Sequence, residues 1–169
     1  LSGRSGAAES MPGMMDTILK VGITPPTRAG LGRQLGDRFA ADAWRRLIQM
    51  YGKVVLGAPA EWFENALSGA LLATGLPSEH EFDTASLLHL AERFESLLAE
   101  HDLIIPADPR EQVRQSILAV FKSWNSERAI AYRTMHGLSE QSGTAATIQA
   151  MVFGNRNEQS GTGVVFTRH

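Results

Sequence analysis

Asp37-Arg38-Phe39-Ala40-Ala41-Asp42-Ala43-Trp44-Arg45-Arg46-Leu47-Ile48-Gln49-Met50-Tyr51-Gly52-Lys53-Val54-Val55 is the most strongly patterned stretch of the 169-residue chain. Its apolar residues Phe39, Ala40, Ala43, Trp44, Leu47, Ile48, Tyr51, Val54 and Val55 recur at intervals of one, three and four. That period predicts a helix of about four to five turns with one stripe against a core. Arg45, Arg46, Gln49 and Lys53 fall outside the stripe and read as its polar side.

Four further helices follow on the C-terminal side. One is expected to start at Pro59, since proline suits the first helical position. It would carry Trp62, Phe63, Leu67 and Leu71 and stop before Gly75. A third, from about Thr84, carries Leu87, Leu88, Leu90, Ala91, Phe94, Leu97 and Leu98. A fourth has Asp108 as cap, Pro109 next and Glu111 at the third helical position, a start signature. Its expected apolar face is Val113, Ile117, Val120, Phe121 and Trp124. A short fifth would run from Glu127 to Met135 and end at Gly137. The acidic Glu92, Glu95 and Glu100 read as the wet face of the third helix.

Composition changes on both sides of this helical middle. Residues 137–169 turn to glycine, threonine and β-branched types. They read as a hairpin, with strands over 144–153 and 163–168 around a turn-rich loop. Two strands alone do not make a stable sheet, so partners are expected from residues 1–30 or from outside the chain. Residues 1–36 are rich in Gly, Pro and Met, with turns at Met11-Pro12-Gly13 and Thr24-Pro25-Pro26. The expected organisation is therefore a connecting segment with a candidate phosphate loop (1–36), a helical subdomain (37–136) and a β segment (137–169). The fold class is α+β, mainly helical, with about five helices and a small β element.

Composition also narrows function. Sixteen Lys+Arg against eighteen Asp+Glu give a net charge of −2, which offers no basic face for a nucleic-acid backbone. Zero cysteine excludes a disulfide scaffold, a thiol nucleophile and a cysteine-ligated metal. Apolar runs fall short of the ~18 residues of a membrane span. With no leader-like apolar run at the start, a reducing cytoplasm is the expected home. The five histidines (His80, His89, His101, His136, His169) have no ligand spacing, and no Walker A, G-x-S-x-G or H-E-x-x-H pattern occurs.

Two segments carry candidate chemistry. From Arg4 to Thr17, small residues, two serines, a Pro-Gly turn and an arginine stand together. Small residues let backbone N–H groups approach an anion, and an arginine clamps phosphate with two parallel bonds. A plain surface loop has the same composition, although Met14-Met15 would then be expected to pack on something. The second segment, Ser160-Gly161-Thr162-Gly163, suits a phosphate-cradling turn or the tip of a hairpin.

These blocks resemble the nucleotide-binding domain of the pyruvate, phosphate dikinase family. The resemblance lies in Arg4-Ser5-Gly6-Ala7, Ser10-Met11-Pro12-Gly13-Met14-Met15-Asp16-Thr17, Arg38-Phe39-Ala40, Arg45-Arg46 and Ile48-Gln49-Met50. It continues through Ala119-Val120-Phe121-Lys122-Ser123-Trp124-Asn125, Arg128-Ala129-Ile130 and Gly143-Thr144-Ala145. It closes with Gln149-Ala150-Met151-Val152-Phe153-Gly154-Asn155 and Ser160-Gly161-Thr162-Gly163-Val164-Val165-Phe166-Thr167-Arg168. The matches are collinear and span the chain; between about Pro59 and Pro106 they reduce to helical character. The resemblance implies part of an ATP-grasp domain with an inserted helical subdomain. Such a domain binds Mg-ATP and phosphorylates a histidine on a swivelling domain, and a third domain then interconverts pyruvate and phosphoenolpyruvate.

Carried over residue by residue, the resemblance makes Arg4 a phosphate contact and places Gly13 in the loop that closes on the phosphates. Arg45 and Arg46 match a basic pair, Gln149 lies on a strand of the cleft, and Ser160, Gly161, Thr162 and Gly163 form a second loop. Arg168 matches the arginine of a Thr-Arg-Asn-Pro run. The Mg²⁺ ligands and the phosphorylated histidine would lie outside this chain, so no catalytic and no metal-binding residue is expected within it. The chain is expected to be one piece of a longer protein and inactive alone. It departs from the pattern at Gly3, where a β-branched residue is usual, and at Lys20 and His169, where asparagine is usual. Two alternatives stand beside this reading: a related dikinase such as phosphoenolpyruvate synthase, and a non-catalytic helical interaction or lid module. Unpaired strand edges also predict association, with a second copy as one outcome.

Overall fold

The computed structural model describes residues 1–156, 159–163 and 165. Among them, a three-stranded sheet is formed by β1 (Ser2–Gly6), β2 (Ile18–Leu19) and β3 (Ala145–Gln149), in the order β2-β1-β3. Both pairings are antiparallel. The helices are α1 (Pro25–Leu35), α2 (Asp37–Val54), α3 (Ala60–Thr74), α4 (Thr84–Ala99), α5 (Pro109–Ser123) and α6 (Glu127–His136), with a 3₁₀ turn at Glu79–Glu81. The protein is thus mainly helical α+β.

Helix α2 is the axis of the core. Leu47, Ile48 and Tyr51 are fully buried, and α4 supplies Leu87, Leu90, Phe94 and Leu98 against them. Each such side chain contributes about 1.5–3 kcal/mol by leaving water. Phe63 of α3 meets Phe94 edge to face, with ring centroids 5.0 Å apart. Gly52 makes this approach possible, because a Cβ there would stand 2.7 Å from the Phe63 ring. Asp108 caps α5 as the sequence predicts, accepting from Arg110 N–H, and Asp83 and Ser126 cap α4 and α6, accepting from Ser86 and Ala129 N–H groups. Gly75 and Gly137 end α3 and α6 in the left-handed conformation.

Several expectations are corrected. A helix not anticipated from the sequence, α1, precedes α2; Thr24 and Thr27 cap each other reciprocally at its start, with Pro25 in the first position. Pro59 is the residue before α3 rather than its first helical residue. Glu111 does not reach back to its cap; it pairs with Arg114 and Gln115, and these bonds lower its carboxyl to about 2. The buried side of α5 is Gln112, Ser116, Ala119, Val120 and Ser123, while Phe121 is exposed. Gln112 is tolerated inside because both ends of its amide are used. Its Nε2 donates to the Ile23 and Pro106 carbonyls, and its Oε1 accepts from Gly22 N–H.

The expected hairpin is also revised. Its first strand is shorter than expected, and β3 pairs with β1 at the far end of the chain. The second expected strand falls largely outside the described residues. The partners for β3 do come from the first 30 residues. Gly3 does not prevent β1 from forming: it lies opposite both Ile18 and Ile148, and a Cβ there would stand 3.3 Å from the end of the Ile148 side chain, a tight contact.

The sheet positions the site. In β1 and β3, Gly3, Ser5, Ala146 and Ile148 turn toward α5, while Arg4, Gly6, Thr147 and Gln149 share the other, exposed face. Buried Arg133 fixes the approach to β3. It donates to the Trp124 carbonyl at 2.6 Å, pairs with Glu140 and lies 4.1 Å above the Trp124 ring.

Candidate nucleotide-binding cleft

Arg4 stands on the open sheet face, opposite Thr147 and diagonal to Gln149. Its guanidinium has no hydrogen bond or ion pair among the described residues. Two concavities meet at it. One, of about 420 Å³, is formed by residues 4–13 with Met15 and Thr17, so Gly13 and the serines of the Met-Pro-Gly loop line it. The other, of about 470 Å³, runs from Arg4 past Lys20 to α2, the 3₁₀ turn and residues 151–155, and includes Thr162.

The Met-Pro-Gly loop is open at its tip and anchored at its base. Met11 is buried and Met14 and Met15 are half-buried, as expected of methionines that pack. Asp16 accepts an ion pair from Arg128, which also donates to the Met14 carbonyl at 3.0 Å, and Asp16 N–H donates to Ser123 Oγ at 3.1 Å. Gly13 has φ +74° with no atom within 4 Å of where a Cβ would stand, so glycine is favoured there by backbone conformation rather than by space.

Arg38, Asp42 and Arg46 lie four residues apart on α2 and line the second concavity together. Asp42 is held from two sides: its Oδ1 accepts from Arg45 at 2.8 Å and its Oδ2 from Arg46 Nε at 2.8 Å. Burial alone would push its carboxyl up. The hydrogen bond from Arg45 and the charges of Arg46 and Arg45 outweigh it and hold the group below its ordinary range. Glu79 Oε1 accepts from both arginines at 3.3 Å. Arg38 grips the turn that carries Glu79, donating to the carbonyls of Phe82 at 2.8 Å and of His80.

Lys20 follows β2 with φ +65°. Burial lowers its ammonium below the usual lysine range, and the charges of Arg46 and Arg45 add to this against the pull of Asp42. A cation disfavoured in this way is better accommodated with an anion beside it.

The expected residues therefore separate. Arg4, Arg46 and Thr162 line one cleft, and Gly13 lines the adjoining concavity. Gln149 is on the same sheet face as Arg4. Arg45 is not on the polar surface: it is 1% exposed, behind Arg46, bound to Asp42, Glu79 and Gln49. Ion pairing to two carboxylates makes that burial possible. Gly161 and Gly163 are exposed and Ser160 is half-buried. The Gly161–Thr162 backbone closes on Gly154, where any Cβ would overlap the Thr162 hydroxyl. Arg168 lies outside the described residues. Lys20, Arg38, Asp42 and Glu79 were not singled out from the sequence as site residues; the spacing of 38, 42 and 46 was the available signal for three cleft positions.

Among the described residues no group of three or more His, Asp or Glu side chains is placed to hold a metal ion. Nor is any helix long and apolar enough to cross a membrane.

Fold and cleft together define the class: a mainly helical α+β domain whose open sheet face carries Arg4 beside a glycine-containing loop. Residues 3–169 match the family model described as pyruvate phosphate dikinase, AMP/ATP-binding domain, and the chain belongs to that family. It is 44% identical over 170 aligned positions to pyruvate, phosphate dikinase 1, chloroplastic, of Oryza sativa subsp. japonica, covering 100% of this chain and 18% of that protein. It is 44% identical to pyruvate, phosphate dikinase 2 of Zea mays, covering 100% and 19%. To the chloroplastic pyruvate, phosphate dikinase of Mesembryanthemum crystallinum it is 45% identical, covering 100% and 18%. The chain thus spans about a fifth of the length of these relatives.

Proposed function

We propose that this chain supplies part of the Mg-ATP-binding cleft of a pyruvate, phosphate dikinase. In the parent protein, the nucleotide would phosphorylate a histidine of a swivelling domain, and a pyruvate/phosphoenolpyruvate-binding domain would complete the reaction. The observation that carries the reading is Arg4, an unpaired guanidinium at the junction of a glycine-containing loop and a cleft lined by Lys20 and Arg46. Phosphoryl transfer depends on positioned positive charge and backbone donors, and needs no nucleophile from the nucleotide-binding domain itself.

In this reading Arg4, Lys20 and Arg46 neutralise the phosphate oxygens, and the Gly13 loop offers backbone N–H groups from the side. Gln149 contributes from the shared sheet face, and the segment from Ser160 to Gly163 borders the cleft. Arg45 positions Arg46 from behind by holding Asp42. Mg²⁺, when bound with ATP, neutralises phosphate charge; the cations of this chain fit the phosphates, and protein ligands for the metal are assigned to the remainder of the parent chain. We assign the same reading a cytoplasmic setting, although the rice and Mesembryanthemum relatives carry the word chloroplastic in their names.

The test is calorimetric titration of Mg-ATP into this chain and into a version extended at both ends, each with and without Arg4→Ala. The extended version is expected to bind more tightly. Loss of a charge-assisted bond of about 1.5–3 kcal/mol should weaken binding by about ten- to a hundredfold in Arg4→Ala, with melting unchanged. A folded extended version that binds no nucleotide would defeat the reading and favour the non-catalytic helical module.

A further inference from the structure

The cleft contains two carboxylates in a place that otherwise suits an anion, and they are held very differently. Asp42 is 13% exposed and divides its two oxygens between two guanidiniums at 2.8 Å. Its partners stand three and four residues away on the same helix, so the backbone fixes the arrangement. Glu79 is 24% exposed and offers one oxygen to both Arg45 and Arg46, at 3.3 Å each. Charge-assisted bonds of this type close to about 2.7–2.9 Å when well formed. The Glu79 contacts are loose, partly solvated and made from a short turn 33 residues along the chain. The Arg46–Glu79 pair, 35% and 24% exposed, is of the solvated kind that contributes little.

Arg46 is the group they share with the open cleft. Its Nε is committed to Asp42, its Nη2 reaches Glu79, and the side chain is 35% exposed. We propose that Glu79 is a displaceable counterion, occupying the anion position of Arg46 until a phosphate takes it, and so sets the affinity of the cleft. Asp42 keeps Arg46 in place during the exchange. Arg45 retains Asp42 and Gln49. Arg38 retains the turn through its backbone carbonyls, so only the Glu79 side chain moves. Glu79 is a positioning residue: it acts through Arg46 and does not touch the nucleotide. The proposal rests on the phosphate reading of the cleft given above.

Inorganic tripolyphosphate, titrated calorimetrically at low ionic strength into the version of this chain extended at both ends, tests it with Glu79→Gln, Glu79→Asp, Arg46→Gln and the double variant E79Q/R46Q in that same extended chain. Glu79→Gln is expected to bind about three- to tenfold more tightly than the unsubstituted chain. Glu79→Asp keeps the charge but withdraws the oxygen from a contact already long, and is expected to bind more tightly too. In the Arg46→Gln background the Glu79→Gln gain should vanish. Equal or weaker binding by a Glu79→Gln variant that melts like the unsubstituted chain overturns the proposal while leaving the phosphate reading intact. A gain in Glu79→Gln that survives in the Arg46→Gln background overturns it as well, since the charge would then act on the cleft at large. Failure of both the unsubstituted chain and Glu79→Gln to bind tripolyphosphate removes the phosphate reading and this proposal together.

Discussion

The helical body and the open face of the sheet treat polar groups in opposite ways. Within the body, Gln112 has both ends of its amide bonded, Arg133 is closed between Glu140 and the Trp124 carbonyl, and Arg45 is surrounded by acceptors. On the sheet face, Arg4 has no partner among the described residues and the tip of the Gly13 loop meets no neighbour. Satisfied polar groups contribute to the fold; an unpaired cation contributes little to the fold and is ready for an external anion. Stability and anion binding should therefore be separable by substitution.

The strongest challenge to that separation is Phe63→Ala. Phe63 is fully buried against Phe94 and Gly52, and the cavity should cost about 3–5 kcal/mol. Urea unfolding is expected to show that loss, while nucleotide affinity of the folded fraction stays unchanged. Asp42→Asn straddles the two regions. Removing the carboxylate leaves Arg45 buried with weaker partners, at a cost of about 3 kcal/mol. Because its folded-state value is depressed, Asp42 contributes stability that is present above its ordinary 3.8 and lost as pH falls through the lower folded value. Melting followed below pH 4 should therefore show a smaller acid-side decline in Asp42→Asn than in the unsubstituted chain. The smallest effect on stability is expected for Gly13→Ala. Strain at φ +74° should cost about 1 kcal/mol in thermal unfolding, with a measurable loss of Mg-ATP affinity in the extended version. A Gly13→Ala variant that destabilises like Phe63→Ala would erase the distinction.

The body was legible in the sequence because its helices are amphipathic and two of them, α4 and α5, open on an aspartate cap. Asp37, Thr84, Glu127 and the Asp108-Pro109 pair marked starts that the structure keeps. Helix α1 was not legible, because Pro25-Pro26-Thr27-Arg28-Ala29-Gly30-Leu31-Gly32 has little apolar period and its reciprocal cap uses Thr27 where glutamate or glutamine is the usual signal. Periodicity placed Arg45 outside the apolar stripe yet gave no hint of Glu79 across the cleft, and it is this tertiary partner that helps bury it. The same blindness hid the buried side of α5: Gln112, Ser116 and Ser123 do not look apolar, although the fold encloses all three. The strand pairing of β3 was half legible. Strand character could be read locally, but its partner lies at the opposite end of the chain.

That last pairing has a consequence for the order of events on the ribosome. Gly6 and Thr144, joined by a hydrogen bond, are 138 positions apart, and every helix of the body lies between them. At about 5–20 residues per second of synthesis, β1 waits on the order of ten seconds for β3 to emerge. The α-helices, whose contacts are closer in sequence, can associate within that interval and bring the two ends together. The part of the cleft built on β1 and β3 therefore cannot form before nearly the whole segment has been translated.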